Sequence, residues 1–365
     1  MMWGVGQLIA TGVLRALINR TDHWAYRIPF ALQWMWPVPL IVGIAFAPES
    51  PWWLVRKGRV EDARKALQSL SMNSDDEIDT TISMMRHTDA IEKEISAGTS
   101  YLDCFKGINL RRTEITCITW VIQAASGASL MGNAAYFFEQ VGNSLVLLNS
   151  PSQTLEQAGL PTSISFDFSM ALYAVAIVGV WISWFAMTHL GRRTLYVGGL
   201  CALVLIMLGT GFTGLAHNSG ASYAAGSLLL VFTLLYDITI GTFAYSIVAE
   251  MPSNRLRTKT IVLARSFYNV QGTVNGVITP YMLNPDAWNW KAKSGFFWAG
   301  LGFLCLVWTY LRLPEPKGRT YGEIDILFEQ RVSARKFKSA IIDPFQTPET
   351  PNEQTDEKSG GLPNW

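Results

Sequence analysis

The sequence predicts an all-α integral membrane protein with about eight transmembrane helices, found with a window of roughly 19 residues. Three observations carry that prediction. Hydrophobic residues make up 49% of the chain and charged ones only 16%, where a soluble domain carries about 25% charged residues and spreads them. The charges here are gathered between long apolar stretches. The cations are also distributed unevenly across those stretches: with Met1 on the cytosolic side, 23 of the 29 Lys and Arg fall in loops facing the cytosol. Arg20, Arg27, Lys291 and Lys293 face the other side, and Arg15 and Arg265 lie inside helices. This is the positive-inside pattern. A net charge of +1 gives no argument for nucleic acid or acidic partners.

The candidate spans, in chain order, are 1–18, 28–47, 114–138, 168–188, 195–216, 222–249, 261–283 and 294–313. Several exceed the roughly 20 residues needed to cross, which implies tilt or extension beyond the bilayer. The second span ends in Pro48-Glu49-Ser50-Pro51-Trp52-Trp53-Leu54-Val55-Arg56-Lys57-Gly58-Arg59. Its prolines stop a helix, its paired Trp suit the headgroup layer, and its cations anchor the exit to the cytosol. Residues 58–110 contain no apolar run of membrane length. Helical apolar spacing at 60–67 and 75–95 predicts short cytosolic helices, with Ile78, Ile82, Met85 and Ile91 as an inward stripe. A solvated amphipathic linker is the plainer reading of the same residues.

Other signatures recur at cytosolic exits. Gly191-Arg192-Arg193 follows the fourth span, Glu250-Met251-Pro252-Ser253-Asn254-Arg255-Leu256-Arg257 the sixth, and Pro314-Glu315-Pro316-Lys317-Gly318-Arg319-Thr320 the eighth. A carboxylate at one helix end and a guanidinium at another can form bidentate pairs that break and remake when helix bundles rock. Simple charge anchoring explains any one of them alone.

In this order and on these loops, the motifs resemble those of the sugar porters of the major facilitator superfamily, over nearly the whole chain to about Asp325. The Trp-Trp variant of the opening motif, with Tyr236-Asp237-Ile238-Thr239-Ile240-Gly241-Thr242 and Val262-Leu263-Ala264-Arg265, is most similar to the fungal maltose and α-glucoside proton symporters. The resemblance implies a partial major-facilitator fold beginning at the fifth of twelve helices and lacking the first four. It divides the chain into the last two helices of an amino-terminal bundle (1–55), a cytosolic helical linker (56–110), a six-helix carboxy-terminal bundle (111–330) and a disordered cytosolic tail (331–365). Thr188 and His189 depart from the family's acidic and basic residues before Gly191. The family text also runs from Phe137-Phe138-Glu139-Gln140 straight to Ala158-Gly159-Leu160-Pro161. Residues 141–157 are therefore extra, read either as a loop insertion, which costs little at a surface, or as a retained intron of 17 codons. Sequencing the spliced transcript separates the two.

A neutral sugar calls for neutral hydrogen-bonding side chains and an aromatic face, since a charge at the bilayer midplane is costly. Gln7 and Gln123 fall on sugar-contacting glutamines of the family, and Asn269 on an asparagine of its eleventh helix. Gln123 opens Gln123-Ala124-Ala125-Ser126-Gly127, which resembles the sugar-binding motif of the seventh helix with Ala124 in place of its second glutamine. At 100° per residue Gln123, Ser126 and Asn133 share one face of a continuous helix. Tyr245 stands where many members carry tryptophan, and Thr273 where a partner asparagine is usual. Each single polar residue is also of the kind that joins helices by a hydrogen bond, worth roughly 0.6 kcal/mol. Asp237, an acid deep in a span, either carries a proton or anchors its helix through Tyr236 or a backbone donor.

The cytosolic latch implied by the family motifs comprises Glu49, Arg192, Arg193, Glu250, Arg257 and Glu315. Four scattered cysteines and four dispersed histidines supply neither a disulfide framework nor a metal-ligand spacing. With no nucleophile constellation or phosphate-binding loop, no enzyme, metal or cofactor is expected beyond a co-transported proton. The function implied is sugar transport by alternating access, as α-glucoside proton symport, with a sugar and the lipid bilayer as partners and the plasma membrane as location, the vacuole being the alternative. A non-transporting sugar sensor and an inactive carrier fragment are the competing readings.

Overall fold

A computed structural model describes residues 2–71, 74–96, 98–142, 162–216, 219–253, 255–337 and 339–340. Among them every regular element is a helix. Apart from its first two residues, the extra segment 141–157 lies outside the described residues, as does the tail beyond residue 340.

The chain opens with α1 (Met2–Leu17), α2 (Trp24–Leu32) and α3 (Pro37–Phe46). The span expected at 28–47 is thus two helices joined by a 3₁₀ turn, Gln33–Met35. Pro37 and Pro39 explain this: they cannot donate to the preceding turn, and Pro37 suits the first position of a new helix. Both helices and the turn between them leave large apolar side chains exposed, including Phe30, Trp34, Ile41 and Phe46.

Next come α4 (Pro51–Arg56), α5 (Val60–Leu70) and α6 (Asp75–Ser96), packed on one another around Leu54, Val55, Ala63, Ala66, Ile78, Ile82 and Met85. Pro48 stops α3, with Ala47 before it already extended, while Pro51 starts α4. Trp52 packs against this small core rather than serving only as a headgroup anchor. The inward stripe holds for Ile78, Ile82 and Met85, but Ile91 is 40% exposed. The reason is length. At 1.5 Å per residue, the 22-residue α6 outruns the 11-residue α5. Where apolar cover runs out, Asp89 lies buried between Arg56 at 3.6 Å and Lys93 at 2.7 Å.

The remaining helices are α7 (Gly107–Ala125), α8 (Ala128–Gly132), α9 (Ala134–Gly142), α10 (Thr162–His189), α11 (Arg192–Thr213), α12 (Ser219–Ile238), α13 (Ile240–Glu250), α14 (Arg257–Leu283), α15 (Ser294–Arg312) and α16 (Tyr321–Glu329). They form one bundle: α7 packs on α14, α10 on α12, and α11 on both α15 and α12, while α1 joins through α10. Trp298, Tyr196, Phe137, Phe138, Phe232 and Phe243 are fully buried in its centre. Among the described residues, five stretches have the length and apolarity to cross a bilayer: Trp24–Phe46, Ser163–His189, Arg192–Thr213, Gly220–Glu250 and Lys291–Arg312. Among the other expected spans, α1 has only 16 residues, and α7 and α14 carry more polar side chains.

Two expected spans are broken inside this bundle. At 114–138 the helix stops at Ala125, turns through Gly127 at φ +101°, and stops again at Asn133. Gly127 is required there because left-handed backbone strains any residue with a Cβ. At 222–249 the break falls on Thr239, at φ −116° and ψ −91°.

Candidate functional site

The break at Thr239 organises the interior of the bundle. The hydroxyl of Thr239 donates to the Leu235 carbonyl at 2.6 Å, and its side chain fills the space left by Gly199 of α11, where a Cβ would overlap it. A broken helix leaves carbonyls that need other donors. The Thr242 hydroxyl supplies one, to the Asp237 carbonyl at 2.7 Å, and Gln123 of α7, 5% exposed, braces the start of α13 by donating from Nε2 to the Gly241 carbonyl at 2.9 Å. The Tyr236 hydroxyl donates to the Gln123 carbonyl at 3.2 Å, and the Ser126 hydroxyl reaches the same carbonyl at 3.3 Å. The Gln123 side-chain oxygen has no hydrogen-bond partner among the described residues. Asp237 lies beside this cluster, its Oδ1 3.2 Å from where a Cβ on Gly241 would stand and its Oδ2 without a partner among the described residues. Tyr236 therefore serves Gln123, not the carboxylate of Asp237.

Gln123, Ser126 and Asn133 do not share a continuous helical face. The turn at Gly127 separates Asn133 from the other two, and its Nδ2 donates to the Ser129 carbonyl at 2.9 Å. Its place is taken by residues that single-sequence spacing did not mark. Asn275 of α14 donates to the Ala124 carbonyl at 2.7 Å, and Gln271 donates to Asn275 at 2.8 Å. Their spacing of four residues on an otherwise helical pattern was the available signal.

Beside them Trp120 receives the Tyr245 ring edge-on at 5.9 Å and lies 6.2 Å from the ring of Tyr268. The guanidinium of Arg265 stands 4.7 Å from the Tyr268 ring centre and 5.4 Å from that of Trp120. Tyr245 and Asn269 are exposed, and Thr273 donates within its own turn to the Asn269 carbonyl. Arg265, Asn269 and Thr273 thus lie along one open face of α14. By contrast, the exposed face of α10 is Val178, Trp181, Ile182, Trp184 and Phe185. Gln7 stands apart. Its helix packs on α10, and among the described residues it hydrogen-bonds to none of the other candidates.

At the Arg-rich end, three of the expected latch residues meet. Arg192 Nη2 donates to Glu250 at 3.1 Å. The carboxylate of Glu315, 8% exposed as a residue, accepts the backbone N–H groups of Arg192 at 2.9 Å on one oxygen and Arg193 at 3.0 Å on the other, so it caps the start of α11, where the helix dipole favours an anion. Gly191 makes this approach possible, since a Cβ there would come within 2.8 Å of the carboxylate carbon. The Arg193 guanidinium donates to the Tyr310 carbonyl at 2.9 Å instead of to an acid. Arg257 is not Glu250's partner: it bonds the Tyr321 hydroxyl at 3.3 Å and lies over that ring. Glu49 makes no ion pair among the described residues and lines an open cleft with Arg59 and Lys65. Where Thr188 and His189 replace the usual charged residues, Lys317 donates to the Thr188 carbonyl at 3.0 Å.

Two ion pairs at this end escaped sequence reasoning, since their partners are some 200 residues apart. Glu114 accepts from Arg312 and, at 3.2 Å, from the Trp308 indole. Arg112, nearly fully buried, pairs with Asp325 at 2.5 Å under the ring of Phe328.

A sugar (and other) transporter family model matches residues 1–328. Among curated proteins, the general alpha-glucoside permease of Saccharomyces cerevisiae is 42% identical over 366 aligned positions, covering 98% of this chain and 56% of the permease. The maltose permease MAL31 of the same yeast is 42% identical over 352 positions, covering 94% and 55%. The chain therefore spans a little over half the length of these relatives. Among solved structures, the proton:xylose symporter XylE bound to 6-bromo-6-deoxy-D-glucose superposes with a TM-score of 0.62 at 17% identity, covering 89% of this chain and 65% of that one. An inward-open form of the xylose transporter XylE from E. coli gives 0.61 at 16% identity, covering 89% and 63%.

Proposed function

The chain belongs to the sugar transporter family, and from that premise we propose that the carrier it forms moves α-glucosides of the maltose type together with protons. One observation carries the reading. The open side of α14 carries a polar row, Arg265, Asn269 and Thr273, beside the exposed Val262, Val270 and Val274, and that row adjoins Tyr245, Trp120 and the buried amide of Gln123. Polar side chains turned to lipid are costly, so this face lines a watered cavity, while the apolar face of α10 meets the bilayer. Within the cavity, Asn269 offers both a donor and an acceptor and the Tyr245 ring offers a surface for the C–H face of a pyranose, with the unpartnered oxygen of Gln123 buried behind them, an acceptor that a sugar hydroxyl reaches only when the site opens.

The cycle is alternating access around that site. Arg192, Glu250 and Glu315 are the carboxy-terminal bundle's share of the inner latch, and the basic end faces the cytosol by the positive-inside rule, in the plasma membrane. The names of the yeast relatives support the substrate class, and the proton-linked XylE fold is consistent with coupling to protons. The reading is of a carrier, not a catalyst.

The test is uptake of radiolabelled maltose and glucose, with external pH recorded, in cells lacking their own carriers. The cells express this chain or a form extended upstream to the relatives' length. Maltose uptake with alkalinisation of the medium is the expected result. A carrier at the cell surface that moves glucose but not maltose overturns the substrate class, and uptake with no pH change overturns proton coupling.

A further inference from the structure

The contact between α1 and the carboxy-terminal bundle runs along α10. Counting upward along α1, its neighbours on α10 run downward: a Cβ on Gly4 would stand 3.2 Å from Ile177, and one on Gly12 3.9 Å from Met170. The two helices are therefore antiparallel, in contact along the whole of α1, and glycines on the α1 side let them approach closely. Polar attachment is confined to one end. There Arg15 Nε donates to Asp167 Oδ1 at 2.6 Å and Nη2 donates to Oδ2 at 3.2 Å, a bidentate pair between residues 152 apart in sequence. Among the described residues these are the hydrogen bonds that join α1, α2 and α3 to the bundle of α7 to α16. The pair lies at the end opposite the Arg192–Glu250 latch, because α10 runs from Thr162 to His189 and Arg192 follows directly. No ion pair spans the two parts at the basic end among the described residues.

We propose that Arg15 and Asp167 are the outer latch of the carrier, holding the outer ends of the two halves together and separating when the outer mouth opens. The inference rests on the carrier reading above. The side chains are 30% and 55% exposed, so the pair is weak enough to break in each cycle, and about threefold to fivefold is the size of bias that such a pair gives a two-state equilibrium.

The experiment uses the chain in membranes, with Cys201 and Cys305, its two cysteines that are not buried, changed to alanine. Met170→Cys, one turn from Asp167 and facing Gly12, reports opening through its rate of labelling by a membrane-impermeant thiol reagent added from outside. Arg15→Gln and Asp167→Asn are each expected to raise the rate about threefold to fivefold. The swapped pair, Arg15→Asp with Asp167→Arg, is expected to return it close to the starting rate. Unchanged labelling in the single variants overturns the proposal, as does a swapped pair that labels as fast as they do. Leu203→Cys, fully buried in the bundle, is the control. If it becomes reactive in the single variants, the pair holds the fold rather than the interface, and the latch is likewise overturned. No sugar enters the assay, so a wrong substrate class leaves its result unchanged.

Discussion

Gln123 shows how one side chain serves structure and site together. Its amide N–H group donates to the Gly241 carbonyl in the first turn of α13, and its oxygen has no partner among the described residues. The residue was legible in the sequence as a polar group in an apolar run, but its partner was not, since Gly241 lies 118 residues away and is reached only through tertiary packing. Gln123→Leu removes the donor while keeping the volume. The Gly241 carbonyl keeps its own i+4 partner within α13, so the loss is that of one hydrogen bond, about 0.5–1.5 kcal/mol. Thermal unfolding of the purified protein is expected to show a lowered midpoint of corresponding size, and maltose uptake by the carrier is expected to fall with it. Tyr245 illustrates the converse: its position came from family likeness, whereas its edge-on contact with Trp120 required the fold. Gln7 was equally visible as a polar residue in an apolar helix, and the structure leaves it away from the Gln123 cluster because α1 packs on α10.

At the scale of elements, hydropathy located the spans but overlooked their interruptions. An apolar window averages over a turn of two residues, so the breaks at Gly127 and Thr239 do not register in it. Caps are more local and thus easier to read. The start of α16 is a capping box in which Thr320 Oγ1 accepts the Glu323 N–H at 3.3 Å and the Glu323 carboxylate accepts the Thr320 N–H at 2.7 Å. Those bonds, first from the Thr320 backbone and then from its hydroxyl, hold the Glu323 carboxyl below its ordinary value. A carboxyl lower in the folded state adds stability that is present above the unfolded value, about 4.3, and is lost as pH falls through the folded one. Hydrogen exchange at the first turn of α16, corrected for the intrinsic rate, is expected to lose protection over that acid range. Glu323→Gln is expected to have lower protection at neutral pH and little further change on acidification.

For the molecule as a whole, long-range ion pairs tie the carboxy-terminal segment to the bundle. Arg112 is buried at the start of α7, whereas Asp325 on α16 is 37% exposed. The pair is therefore asymmetric: removing the acid strands a buried cation, and removing the cation leaves an acid that water can solvate. Asp325→Asn is expected to loosen α16 more than Arg112→Met does. Trypsin cleavage after Arg331 and Arg335 measures this, severalfold faster in the first variant and little changed in the second. Equal rates would mean that Phe328 and Phe337, packed under Arg111, hold the segment without the charge pair.

By itself the sequence determined that this is a helical membrane protein, which loops carry the cations and which family the chain resembles, because those properties are local sums of side-chain transfer energies or short motifs at span ends. Tertiary structure decided what each motif touches. Glu250 meets Arg192 rather than Arg257, Glu315 caps α11 through the space left by Gly191, and Arg15 finds Asp167 across the interface. These outcomes depend on helix crossings and on breaks at single residues. Hydrogen bonding and ion pairing act over a few ångströms, and only the packed fold brings such partners within reach.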